Sequence, residues 1–122
     1  MRDYKNIKAY QLAEELVVEI YKTTKVFPKE ELYGLTSQLR RAVVSFPANI
    51  AEGASRNHKR DYLQFLYVSR GSLAEVECLL QLGHKLDYLD EKKFRQIEWK
   101  RDELAKTLFG LIRAVESEVK GL

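Results

Sequence analysis

Cysteine occurs once in this chain, so no internal disulfide can form, and a fold without such a staple suits a reducing compartment. Proline occurs twice and glycine six times among 122 residues, too few for a collagen-like or low-complexity chain. Histidine occurs twice, which leaves little material for proton transfer or metal ligation. No apolar run approaches the roughly 20 residues that span a bilayer. The opening Met1-Arg2-Asp3-Tyr4-Lys5-Asn6 leads into a pattern carrying Glu14, Glu15 and Glu19, unlike the apolar heart of a signal peptide. What remains is 45% hydrophobic and 32% charged over 122 residues, the composition and length of one soluble cytoplasmic domain spanning the chain.

Charge of one sign is also modest. Lysine and arginine number 21 against 18 acidic residues, for a net charge of +3, just short of a dedicated nucleic-acid domain. Its distribution is uneven, because residues 1–60 hold 11 basic and 7 acidic residues, net +4, whereas residues 61–122 hold 10 and 11.

Helical periodicity dominates, with no convincing strand. From about Ile7 to Val26, Tyr10, Ala13, Val17, Ile20 and Thr24 share one face, widened by Leu16 and Tyr21, and Phe27-Pro28 ends the segment. From about Leu32 to Gly53 the apolar stripe is Leu35, Leu39, Ala42, Val43, Phe46 and Ile50, with Gly53 as the expected stop. Pro47 lies inside, so a kink near Val43 to Pro47 is expected, with two separate helices as the alternative. In the third segment Tyr62, Leu66, Ser69, Leu73, Val76, Leu80 and Gly83 alternate steps of four and three, a heptad seam, started by Asn57 or Ser55 as cap. The fourth begins at Asp90, places Phe94, Ile97, Leu104, Leu108, Leu111 and Val115 on one face, and runs to about Val119. Four such stripes predict an all-α, antiparallel up-down-up-down four-helix bundle forming a single domain over residues 1–122.

The inventory argues against an enzyme. His58, His84 and Cys78 are scattered, no paired Glu-x-x-His motif is present, and no Walker loop, nucleophile elbow or Rossmann fingerprint occurs. No catalytic residue, metal site or cofactor is therefore expected. Two other constellations remain. A polar stripe of Gln38, Ser45, Asn49 and Glu52, to which the third segment adds Ser72 and Glu75, reads as a network that registers helices or subunits, with a ligand pocket of Asn49, Glu52 and Glu75 as the sharper alternative. Basic groups form the other: Arg40-Arg41, the loop holding Arg56, Lys59 and Arg60, and the outer face of the fourth segment, where Lys92, Arg95, Lys106 and Arg113 surround Trp99. A Trp off the core either anchors a subunit contact, stacks on a nucleic-acid base, or is simply solvated.

The run from Phe27 to Ala42, Phe-Pro-Lys-Glu-Glu-Leu-Tyr-Gly-Leu-Thr-Ser-Gln-Leu-Arg-Arg-Ala, continues as Ser45-Phe46-Pro47-Ala48-Asn49-Ile50-Ala51-Glu52-Gly53. Together with Phe65-Leu66, Gly71-Ser72-Leu73 and Glu75, it resembles the 23S ribosomal RNA intervening-sequence protein family. That family is similar in turn to the accessory variability protein of diversity-generating retroelements. The resemblance implies a small bacterial four-helix bundle assembling as a homo-oligomer, a five-fold ring in relatives. It marks Gly34, Gln38, Arg40, Arg41, Ser45, Pro47, Asn49, Glu52, Gly53, Gly71, Ser72 and Glu75 as matching the signature, without a chemical role for any of them. The functional expectation is association with RNA or an RNA-handling partner through Arg40, Arg41, Arg56, Lys59, Arg60, Lys92, Arg95 and Lys106. Gln38, Ser45, Asn49, Glu52, Ser72, Glu75 and Trp99 are the expected contact surface between subunits. The alternative is a structural or protein-recruiting scaffold that does not touch nucleic acid.

Overall fold

Apolar residues three and four apart leave each helix with one face that water rejects, and a computed structural model describing residues 2–121 shows how these faces meet. Four helices form: α1 (Lys8–Thr24), α2 (Leu35–Ala54), α3 (Lys59–Lys85) and α4 (Glu91–Lys120), with short 3-10 turns at Tyr4–Asn6 and Lys29–Glu31. No strand occurs among the described residues. Neighbours pack in the ring α1–α2–α3–α4–α1, with α1 and α3, and α2 and α4, on the diagonals.

Cross-helix contacts of α3 with α2 and with α4 run in opposite chain directions. In α3 and α4, Lys59 meets Glu118, Tyr67 meets Glu116 and Gln81 meets Glu98. In α2 and α3, Ser45 meets Ser72, and Gly53 lies against Tyr62 and Phe65. Thr24 bonds Arg40, and Arg2 reaches the Arg56 carbonyl. Glu19 near the end of α1 pairs with Lys93 near the start of α4.

The stripes of α2 and α3 are buried as their spacing predicts. Phe46, Leu16, Ile20, Leu39, Ile50, Leu66, Leu80, Ile97, Leu104 and Leu108 are the largest fully enclosed side chains, each worth about 1.5–3 kcal/mol of apolar burial. Proline does not divide α2. Pro47 lies buried in one continuous helix, and the Ser69 hydroxyl of α3 donates to the adjacent Phe46 carbonyl at 3.1 Å.

Several expectations are corrected. On α1 the core face is Ala9, Ala13, Leu16, Ile20, Thr23 and Thr24, while Tyr21 is exposed instead of widening it. On α4, Ile112 is buried and Leu111 half-buried, because the 3.6-residue helical repeat drifts from a strict heptad. Neither Asn57 nor Ser55 caps α3; His58 holds that position without a capping side-chain bond. Ser55 instead closes α2, its N–H reaching the Ala51 and Glu52 carbonyls and its hydroxyl donating to the Glu52 carbonyl at 2.7 Å. Asp90 caps α4 as expected, accepting from the Lys93 N–H at 2.8 Å.

Gly53 does not stop α2. It is buried inside the last turn, where a Cβ would lie 2.6 Å from the Phe65 Cβ and 3.1 Å from the Tyr62 ring, so its hydrogen lets two helices approach closely. Gly71 faces open space in mid-α3. Gly53→Ala is therefore expected to destabilise by about 1–3 kcal/mol through overpacking. Gly71→Ala should stabilise by about 0.5–1 kcal/mol through helix propensity. Thermal unfolding of the two variants, moving the midpoint in opposite directions, checks the pair.

Candidate nucleic-acid interface

The packing of α2 on α3 gathers part of the polar stripe. The Ser45 and Ser72 hydroxyls are 2.9 Å apart across α2 and α3, and the Asn49 amide donates to the Ser45 carbonyl at 2.8 Å and to its hydroxyl at 3.0 Å. These three form a partly buried network inside one chain, registering α2 on α3. The others stay apart. Glu52 turns to Arg56 at 3.1 Å, while Gln38 and Glu75 are exposed. Asn49, Glu52 and Glu75 line none of five surface grooves.

The basic positions divide by what holds them. Arg56 pairs with Glu52 and lies over the Phe65 ring, Lys59 pairs with Glu118 at 3.4 Å, and Arg95 pairs with Glu91 at 2.9 Å. Arg40 donates from Nε to the Thr24 hydroxyl at 2.9 Å and stands 4.8 Å over the Tyr21 ring. Arg41, Arg60, Lys92 and Lys106 are exposed and form no ion pair among the described residues. The arginine pair of α2 and the cations of α4 sit on helices that are diagonal in the bundle, not neighbours.

Trp99 is 66% exposed, in a groove it shares with Glu19, Gln96 and Lys100. Glu19 binds Lys93 at 3.1 Å and Lys100 at 3.7 Å, and the Lys93 hydrogen bond, more than the nearby Lys100 charge, holds its carboxyl below the usual range. Residues with catalytic potential are dispersed: His58 and Cys78 are exposed, and His84 stacks on Phe94 at 4.1 Å with its Nε2 2.7 Å from Glu91. No group of three metal-ligating side chains occurs among the described residues, and no described helix is long and apolar enough to cross a membrane.

With this geometry the signature residues acquire context, and a family model described as 23S rRNA-intervening sequence protein matches residues 5–110. The chain belongs to that family. A crystal structure from Bacteroides thetaiotaomicron, described as a protein with unknown function from the S23 ribosomal protein family, is similar to it with a TM-score of 0.80. The two share 23% identity over 86% of this chain and 95% of that one, a likeness of fold alone. No curated protein matches the chain.

The family signature also contains a turn that the composition did not single out. Glu31 accepts from the Leu35 N–H at 3.1 Å and from the Tyr88 hydroxyl at 2.9 Å, so one carboxylate caps α2 and ties it to the segment before α4. A Cβ on Gly34 would lie 2.7 Å from that carboxylate. The Leu35 N–H first, and Tyr88 second, hold the Glu31 carboxyl below its ordinary range. A depressed folded pKa stabilises above the unfolded value and is lost as pH falls through the folded one. Glu31→Gln should therefore flatten the loss of thermal stability below about pH 4.3, as measured by unfolding midpoints against pH.

Proposed function

We propose that this member of the intervening-sequence family is a non-enzymatic, cytoplasmic homo-oligomer that associates with RNA, or with an RNA-handling partner, through exposed cations. The observation that carries this reading is the division among the basic positions. Arg41, Arg60, Lys92 and Lys106 are solvated and free of carboxylates among the described residues, and such groups gain most from phosphate because no ion pair must first be broken. Membership of the intervening-sequence family adds support. Repetition of the chain in a ring, as the resemblance implies, multiplies a modest net charge of +3.

Binding to fragments of large-subunit ribosomal RNA should weaken steeply with salt. Charge reversal at Arg41, Arg60, Lys92 or Lys106 should lower affinity at low salt, each lost phosphate contact flattening the salt slope by about 0.7 for single strands. Filter binding over a salt series reads both, and salt-insensitive or absent binding overturns the reading.

The exposure of Trp99 favours a second reading, a scaffold whose subunits or protein partners meet on α4 without touching nucleic acid. Trp anchors dominate many interfaces. On that reading Trp99→Ala should lower the mass seen by sedimentation; an unchanged oligomer frees Trp99 from the subunit contact.

A further inference from the structure

Five surface grooves differ in one chemical respect. Four contain a carboxylate: Glu19 and Asp90, Glu19 beside Trp99, Glu118 at the α2–α3 turn, and Glu14 with Glu15 and Glu19 along α1. The fifth, about 450 Å³ between α1, the Lys29–Glu31 turn and the first half of α2, contains none. Tyr21, Leu32, Tyr33, Arg40, Arg41 and Val44 line it.

One of its apolar components is unusually open. Tyr33 is 93% exposed, the most exposed large hydrophobic among the described residues, and Tyr21, Leu32 and Val44 are 40–48% exposed. Tyr33 follows a turn whose Glu31 carboxylate is bonded to the Leu35 N–H and the Tyr88 hydroxyl and does not line the groove. Glu30 is the exposed carboxylate on that turn, and it does not line the groove. Arg40 is held over Tyr21 by its bond to Thr24, which orders ring and guanidinium before any ligand arrives. Arg41, with only a 3.4 Å contact to the Ser37 hydroxyl, is left to swing.

We propose that this groove is a site for single-stranded RNA, with Tyr33 and Tyr21 as stacking surfaces for unpaired bases and Arg41, beside the fixed Arg40, as the phosphate contact. The proposal rests on the RNA reading above and assigns it to one face of the bundle. Aromatic faces accept any base, while cations track the backbone between them. A duplex keeps its bases stacked inside and cannot use the rings. The absence of carboxylate in the lining favours a polyanion over an acid-neutral peptide, and Arg40, already partnered, positions Tyr21 without first giving up an ion pair.

The test uses the full chain, a labelled unstructured RNA of about 12 nucleotides, a duplex of equal length, and fluorescence anisotropy, with sedimentation of every variant. The single strand should bind several-fold more tightly than the duplex. Tyr33→Ala should weaken it roughly 5- to 100-fold, Tyr33→Phe should stay within about twofold because the ring is kept, and Arg41→Gln should reduce both affinity and salt slope. Because Tyr33 packs against little, its loss should leave mass and unfolding temperature unchanged. Full-strength binding by Tyr33→Ala overturns the assignment. If Arg60 or Lys92 variants then lose binding, the general RNA reading survives and only this groove is wrong; if the native protein binds no RNA at all, both fail. A fall in oligomer mass with Tyr33→Ala also overturns it, by showing that a second copy of the chain occupies the groove.

Discussion

The close approach of α2 to α3 is the constraint on which the rest of the bundle depends. Gly53 removes the Cβ that would collide with Phe65 and Tyr62, and Ser69 and Ser72 keep the opposing surface of α3 low. Small residues would be a poor choice for apolar burial alone. Here they allow hydroxyls to act across the gap, Ser72 to Ser45 and Ser69 to the Phe46 carbonyl. The second bond falls on the carbonyl of Phe46, the residue before Pro47, so the seam that brings the helices together is polar as well as close. A buried hydroxyl tolerates few misalignments, which fixes register as well as proximity.

Electrostatics shapes the surface more by cancellation than by accumulation. Arg101 is mostly buried and bound to Glu77 and Asp102, Glu19 bridges α1 to Lys93 and Lys100, and Lys59 reaches across to Glu118. An exposed pair such as Lys59–Glu118 contributes little to stability, yet such pairs decide which charges are available to a partner. A cation already beside a carboxylate presents a dipole to its surroundings, whereas Arg41 presents a full charge. The groove beside Tyr33 differs from the others for this reason, and not because of its size.

The same turn shows how local structure prepares a surface. Pro28 ends the extended entry, Lys29–Glu31 forms a 3-10 turn, and Glu31 caps α2 from inside the bundle while bonding Tyr88. Phe27 packs against Tyr88 as well. Leu32 and Tyr33, which follow this anchored turn, stay open, Tyr33 almost wholly so.

The sequence by itself determined the four helices, the buried stripes of α2 and α3, the Asp90 cap and the family, because each depends on spacing within one segment or on a contiguous signature. It also placed Trp99 off the core, as a simple consequence of 100° per residue. Only the tertiary structure decided that Gly53 is a packing contact and not a stop, that Tyr21 leaves the core to support Arg40, and that Glu52 answers Arg56 while Ser45, Asn49 and Ser72 meet. Each of these turns on which partner a side chain finds across a helix boundary. Periodicity gives the face on which a residue lies; the neighbour on that face comes from how four helices settle against one another, and that is where Arg40 and Arg41, adjacent in the chain, acquire different roles.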